Sequence, residues 1–195
     1  MNVPLSKTKI YLTGMMGVGK STVGPILARF LNFEFVDLDV RIQNRIGMTV
    51  PEIFSKKGET FFRDLETQEL GQISAGTIPI VIALGGGTLL RAENRERVRD
   101  SGVLIYLRAS LDVLQKRVRN SDRPLLVGSG KSAERAFANK VESDFQTSNL
   151  QILFDARKPF YEEASFWIES EGSPEEVARA ILSRLLLNEY SRKDF

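Results

Sequence analysis

The feature that most constrains this chain is a glycine-rich loop near its beginning. Residues 14–21 read GMMGVGKS and match G-x-x-x-x-G-K-[ST], with a β-rich run before them and a helical pattern after them. Glycines let a backbone wrap a phosphate without Cβ clashes, and amide groups and the helix N-terminus then face the anion. Lys20 would reach the β- and γ-phosphates, and the Ser21 hydroxyl would coordinate Mg²⁺. The residues predicted to bind ATP here are Gly14, Gly17, Val18, Gly19, Lys20, Ser21 and Thr22.

Strand and helix patterns alternate along the chain. Apolar or β-rich runs predict strands at 9–13, 33–37, 78–84, 103–107 and 166–168. Periodic patterns predict helices at 20–31, 40–46, 58–74, 91–101, 111–119 and 174–185. The last helix opens with a Ser-x-x-Glu capping box at 173–176 and has Pro174 at its first position. We therefore predict one α/β domain, residues 1–195, around a five-stranded, mainly parallel sheet.

Two residue types are absent, which narrows the chemistry. With no cysteine and no histidine, disulfides, thiolate catalysis, histidine bases and Cys- or His-ligated metals are excluded. Catalysis must come from carboxylates, Lys, Arg, Tyr, backbone amides and a hard metal ion held by oxygen. A net charge of +2 decides nothing about partners. No apolar run is long enough to span a membrane, and the first residues lack a signal-peptide layout, so a cytoplasmic protein is predicted.

Two carboxylates lie at the end of the second predicted strand. The carboxyl ends of parallel strands line the ligand crevice of an α/β sheet, so Asp37 and Asp39 are expected there. Asp37 would support Mg²⁺ through water, and Asp39 would accept a proton from an acceptor hydroxyl. A helix N-cap is the alternative, since Asp is favoured at that position.

Three glycines follow the most apolar strand. Gly85, Gly86 and Gly87 cost backbone entropy, so we expect another group to approach them closely. A tight turn is the alternative. The acidic residue with which many P-loop NTPases hold their metal is missing from this strand, where Ala83 and Leu84 stand instead.

These motifs resemble those of the shikimate kinase family over nearly the whole chain. Besides the phosphate loop, the matching stretches are FVDLD at 35–39, IF at 53–54, GETFFRDLE at 58–66, LGGG at 84–87, RPLL at 123–126 and RKPFY at 157–161. The resemblance implies a three-layer α/β/α P-loop fold of the nucleoside-monophosphate-kinase type with a mobile lid. It also implies a monomer that transfers the γ-phosphoryl group of MgATP to the 3-hydroxyl of shikimate, in aromatic amino acid biosynthesis through chorismate.

Residue roles follow from the same resemblance. Asp39 would be the base, and Arg63 and Arg157 would bind the substrate carboxylate, which suits the bidentate fork of arginine. Glu66 would hold an arginine or a ring hydroxyl. Arg123 of the lid would join Lys20 at the transferring phosphate. The remaining implied contacts are Phe54, Phe62, Gly85, Gly86 and Gly87 with shikimate, and Arg117 and Pro174 with adenine.

The polar stretch 121–149 is predicted to form the lid. An amphipathic core helix is the alternative for part of it, because Phe137, Val141 and Phe145 lie four residues apart. Residues 128–132 resemble a second phosphate loop, but Leu125 stands where its first glycine should be and no strand precedes it, so we assign them to the lid. The segment 128–148 is longer than in compact family members, which leaves the manner of lid closure open.

Three other functions compete with this interpretation. A gluconate or nucleoside-monophosphate kinase would share the fold, although the Asp-x-Asp and glycine-triplet motifs with two arginines favour a polyhydroxy acid. A non-catalytic nucleotide-binding module is disfavoured because Lys20, Ser21, Asp39 and Arg123 are all present. A nucleic-acid-dependent ATPase is disfavoured because no basic, aromatic-studded stripe is present. We predict no nucleic-acid and no membrane partner.

Overall fold

The computed structural model describes residues 9–119 and 141–190, without the side chains of 119, 141–149 and 188–190. Five parallel strands form one sheet in the order β2-β3-β1-β4-β5. The strands are β1 (Lys9–Thr13), β2 (Glu34–Asp37), β3 (Ile80–Ala83), β4 (Gly102–Arg108) and β5 (Phe166–Glu169). All five residues of the central strand β1 are buried, as expected when helices cover both faces of a parallel sheet. The predicted five-stranded parallel α/β architecture is therefore confirmed.

Eight helices connect and cover these strands in the described parts of the chain. They are α1 (Lys20–Leu31), α2 (Leu38–Ile46), α3 (Val50–Lys57), α4 (Glu59–Ala75), α5 (Ala92–Ser101), α6 (Leu111–Arg119), α7 (Val141–Tyr161) and α8 (Pro174–Tyr190). None of the helices described is both long and apolar enough to cross a bilayer.

Two helices differ from the sequence expectations. Helix α3 was not predicted, although Thr49 and Glu52 form a capping box at its start. Helix α7 was expected only as the alternative for part of the lid stretch, and it continues to Tyr161 through Pro159, a residue that usually ends helical patterns. Residues 120–140, which hold most of the predicted lid and Arg123, lie outside the described residues. Lid motion therefore stays a prediction.

A buried carboxylate joins α2 to α4. Glu69 of α4 is 2% exposed and accepts hydrogen bonds from Arg41 Nε at 2.5 Å and from Arg45 Nη1. Burial alone would raise the pKa of Glu69, but the two guanidinium groups outweigh it and hold the pKa below its ordinary value of 4.5. The contact fixes the helix that begins beside Asp39 against the helix that carries Arg63.

Replacing this carboxylate is expected to weaken the fold in a pH-dependent way. Glu69→Gln should lower the free energy of unfolding by about 1–3 kcal/mol at pH 7, because two charge-assisted hydrogen bonds lose their anion. A lowered pKa contributes stability above pH 4.5 that is lost as the pH falls through the folded-state value. Urea unfolding from pH 7 downward, with Glu96→Gln at an exposed position of α5 as control, should show the difference shrinking below pH 4.5. A difference that grows on acidification would contradict this.

Candidate active site

The phosphate loop joins β1 to α1. Gly14, Gly17 and Gly19 have φ angles of 136°, 77° and 104°, which residues with a Cβ rarely adopt. A Cβ on Gly14 would also collide with the carbonyl oxygen of Leu107. The backbone conformation therefore requires the glycines of the motif.

Positive charge gathers on the inside of this loop. Gly19 is the N-cap residue of α1, and no side chain caps that helix end, so its first amides keep their capacity for an anion. Lys20 Nζ donates to the carbonyl oxygens of Gly14 at 2.7 Å and Met15 at 3.0 Å, which folds the ammonium group over the loop. Loop amides, helix dipole and ammonium group thus surround one site suited to phosphate.

Asp37 caps α2, which the sequence left open as an alternative, and it also contacts the phosphate loop. Its Oδ1 caps α2 by accepting from the backbone N–H groups of Asp39 at 3.1 Å and Val40 at 3.2 Å. Its Oδ2 accepts from Ser21 Oγ at 2.5 Å. Mg²⁺ prefers oxygen ligands and keeps several waters beside substrate phosphates. A hydroxyl backed by a carboxylate at the edge of the phosphate site fits that ion.

A cleft of about 220 Å³ opens beside the phosphate loop. Its lining includes Gly17, Val18, Gly19 and Thr22 of the loop region together with Arg117 and Pro174. The structure thus brings the two residues matched to adenine contacts into one cleft with the phosphate loop. Their contact with adenine stays a prediction.

Ser170 supports this cleft and escaped the sequence analysis. It is buried at the end of β5, and its Oγ donates to the carbonyl oxygen of Val18 at 2.6 Å. Arg117 Nη1 donates to the same oxygen at 3.4 Å. No local pattern could have revealed Ser170, because 152 residues separate it from its partner.

The first glycine of the triplet lies against two acidic side chains. A Cβ on Gly85 would stand 2.6 Å from Glu66 Oε1 and 2.7 Å from Asp39 Oδ1. Asp39 is in the first turn of α2, and Glu66 lies on the buried face of α4. The predicted base is therefore at the carboxyl ends of the strands, beside the glycine triplet.

The other two glycines lie against the two arginines matched to carboxylate binding. A Cβ on Gly86 would stand 3.1 Å from Arg157 Nη1 and 3.9 Å from the carbonyl oxygen of Gly14. A Cβ on Gly87 would stand 2.5 Å from Arg63 Nη2. The triplet does form a tight turn, in which the Thr88 N–H donates to the Gly85 carbonyl oxygen at 3.2 Å, and the expected close approach of other groups is present as well. It forms a floor between the two arginines and the phosphate loop.

Arg63 is held in place by two carboxylates. It donates to the fully buried Glu66 and, at 3.1–3.2 Å, to Glu59. Burial by itself would lower the pKa of the Arg63 guanidinium, but Glu66 and Glu59 outweigh it and raise the pKa. Thr88 Oγ1 donates to the second oxygen of Glu66 at 2.5 Å. Arg63 is thus a permanent cation whose orientation Glu66 and Thr88 determine.

Two aromatic rings lie beneath the Arg63 guanidinium. Its central carbon is 5.9 Å from the ring centre of Phe54 and 5.4 Å from that of Phe62. The two rings contact each other with centres 4.9 Å apart. Both residues predicted to contact the substrate therefore adjoin the predicted carboxylate site.

The fold and the site together define the class of this protein, which is a P-loop kinase. Its defining features are a parallel sheet, a phosphate loop and a carboxylate beside the glycine floor that borders this loop. The family model described as shikimate kinase matches residues 16–186. A shikimate kinase from Thermodesulfovibrio yellowstonii is 41% identical over 89% of this chain and 92% of its own length. This chain belongs to the shikimate kinase family.

Solved structures agree with this assignment. Shikimate kinase from Acinetobacter baumannii, in complex with shikimate, superposes with a TM-score of 0.77 at 33% identity, covering 93% of this chain and 94% of that one. A gluconokinase from Sinorhizobium meliloti superposes with a TM-score of 0.57 at 20% identity, covering 96% and 98% of the two chains. The second likeness concerns the fold alone.

Proposed function

We propose that this protein is a shikimate kinase that transfers the γ-phosphoryl group of ATP to the 3-hydroxyl of shikimate. The observation that carries the proposal is the convergence of Asp39, Arg63 and Arg157 on one glycine floor beside the phosphate loop. A carboxylate that can take a proton and two cations that can hold an acid suit an acceptor with both a hydroxyl and a carboxylate.

The nucleotide side prepares the phosphate for transfer. The loop amides and Lys20 bind the β- and γ-phosphates and stabilise the charge that spreads over the transferred group. Ser21 Oγ, with Asp37 behind it, would hold Mg²⁺, which supplies further charge neutralisation when bound. Arg117 and Pro174 hold adenine in the cleft beside the loop.

The acceptor side orients the acid. Arg63 and Arg157 bind the shikimate carboxylate, the first as a fork that Glu66 holds and Phe54 and Phe62 support. Asp39 accepts the proton of the 3-hydroxyl as that oxygen attacks phosphorus. From the family resemblance we add Arg123, delivered to the γ-phosphate when the lid closes and water is excluded.

We further infer that the protein works as a cytoplasmic monomer. The sequence has no basic, aromatic-studded stripe, so no nucleic-acid partner is proposed. Light scattering at micromolar concentration tests the monomer, and a stable dimer would contradict it.

ADP release from MgATP tests the function. Purified protein is given shikimate, gluconate, a nucleoside monophosphate or no acceptor, with Lys20→Ala as the inactive control. Release that depends on shikimate is the expected result. Release with gluconate instead would keep the phosphoryl-transfer class and overturn the substrate, and ATP binding without acceptor-dependent release would favour a regulatory module.

A methyl group on the glycine floor is expected to weaken the binding of shikimate and to leave the binding of ATP unchanged. Gly87 has a φ of −113°, which alanine adopts freely, but its Cβ would stand 2.5 Å from Arg63 Nη2 and displace the fork. Gly87→Ala should therefore raise the KM for shikimate by about 10- to 100-fold, the loss of one charge-assisted contact.

The control is Gly76→Ala. Gly76 is at the C-terminal end of α4, whereas Arg63 lies near the N-terminal end of that helix. Gly76 has a φ of −65°, and the nearest atom to its Cβ would be the Ile73 carbonyl oxygen at 3.3 Å. Steady-state kinetics should show both KM values near wild type for this variant. A rise in the KM for ATP in Gly87→Ala equal to that for shikimate would contradict the assignment of the floor to the acceptor.

A further inference from the structure

Tyr161 contacts both halves of the site and has no role so far. It is the last residue of α7 and is 1% exposed. Its hydroxyl donates to the carbonyl oxygen of Gly86 at 2.6 Å and lies 3.6 Å from Met15 Sδ in the phosphate loop. One side chain therefore joins the glycine floor to the nucleotide-binding loop.

The same hydroxyl lies beside Arg157, which comes one helical turn earlier in α7. Arg157 Nη1 and the phenolic oxygen lie 3.1 Å and 3.7 Å from one point, the position that a Cβ on Gly86 would occupy. A phenol has one hydrogen to donate and lone pairs with which to accept. Because the hydrogen goes to the Gly86 carbonyl oxygen, the lone pairs of the phenolic oxygen remain available to the neighbouring guanidinium.

The surroundings keep this phenol protonated. Burial raises the pKa of Tyr161 to about 12, although Arg157 acts in the opposite direction. The ring also packs against Tyr106, with ring centres 5.4 Å apart. The hydroxyl therefore keeps the hydrogen that it donates to Gly86 throughout the neutral pH range. The contact with Tyr106 holds the ring in place.

We propose that Tyr161 is a positioning residue, which fixes where the Arg157 guanidinium and the Gly86 carbonyl lie relative to the phosphate loop. These three groups form the acceptor clamp: the Tyr161 hydroxyl, the Arg157 guanidinium and the Gly86 carbonyl. The proposal rests on the proposed function, because its readout is the binding of the acid. Tyr161 touches no reacting atom and acts through Arg157 and Gly86.

Removal of the hydroxyl separates this role from ring packing. Tyr161→Phe keeps the contact with Tyr106. It removes the hydrogen bond to the Gly86 carbonyl oxygen and the phenolic oxygen that lies beside Arg157. The KM for shikimate should rise about 3- to 10-fold, the range of one lost hydrogen bond, while kcat and the KM for ATP stay within about twofold of wild type.

Tyr11 provides a matched control. It is also fully buried, and its hydroxyl is bonded to Ser101 at 2.7 Å and Ser74 at 3.4 Å, away from the site. Tyr11→Phe should lower the urea midpoint, as Tyr161→Phe does, but leave both KM values unchanged. An equal rise in the KM for shikimate in both variants would mean that any buried phenol acts through stability alone, and would overturn the clamp.

A double-mutant cycle tests the route of the effect. If Tyr161 acts through Arg157, adding Tyr161→Phe to Arg157→Ala should raise the KM for shikimate by less than the same change does in the wild type. Fully additive effects, or an unchanged KM in Tyr161→Phe, would overturn the proposal. The wild type in the same assay distinguishes the two failures, since absence of shikimate turnover there would overturn the proposed function instead.

Discussion

Asp39→Asn is expected to lower kcat by about 10²- to 10⁴-fold while leaving ATP binding intact, because asparagine keeps the shape of the side chain but cannot accept a proton. Asp39 lies beside Gly85 and Glu66, on the acceptor side of the floor. The loss should therefore appear in turnover and not in the dissociation constant for MgATP.

The matched control is Asp100→Asn. Asp100 is 77% exposed on α5 and takes no part in the site, so this variant should turn over at the wild-type rate. Calorimetry with a non-hydrolysable ATP analogue checks that Asp39→Asn still binds nucleotide. Wild-type turnover by Asp39→Asn would remove Asp39 as the base.

Arg63→Ala is the second change with a large expected effect. The KM for shikimate should rise by about 10- to 100-fold, because a bidentate charge-assisted contact is lost. The fold should also weaken by about 3–5 kcal/mol, since the fully buried carboxylate of Glu66 loses its cation. Both effects come from one side chain that serves the substrate and the protein interior.

Arg63→Lys separates these two effects. Lysine keeps a positive charge near Glu66 but lacks the planar fork, so it should recover part of the urea stability and little of the affinity for the acid. Arg91→Ala is the control, because Arg91 pairs with the exposed Asp64 and is not among the residues assigned to the substrate. If Arg63→Ala changed stability alone and left the KM for shikimate at its wild-type value, Arg63 would have only a structural role.

Local signals account for the parts of the fold that could be predicted. Helix α1 occupies the predicted span Lys20–Leu31, and the capping box at Ser173 and Glu176 opens α8 as expected. Helix α3 was missed although the capping signal at Thr49 and Glu52 is visible in the sequence. Its shortness, eight residues, gives too little periodicity for detection.

The length of a strand is a feature that local sequence signals could not predict. The apolar run 78–84 is longer than β3, which pairs only over Ile80–Ala83. Beyond Ala83 only β1 still offers a partner: the Leu84 N–H donates to the Leu12 carbonyl oxygen at 3.0 Å, whereas β2 ends at Asp37, whose backbone turns into α2. Strand length is set by the partner strand, which no apolar run can specify.

The sequence by itself determined the phosphate loop, the alternation of strands with helices, and the motifs that identify the family, because each depends on residues close together in the chain. Only the tertiary structure decided that Asp37 both caps α2 and contacts Ser21. It alone also placed Ser170 under Val18 and Tyr161 between Met15 and Gly86. These contacts join residues that are distant in the chain, and they form because buried hydroxyl groups and carbonyl oxygens need partners wherever packing brings them together.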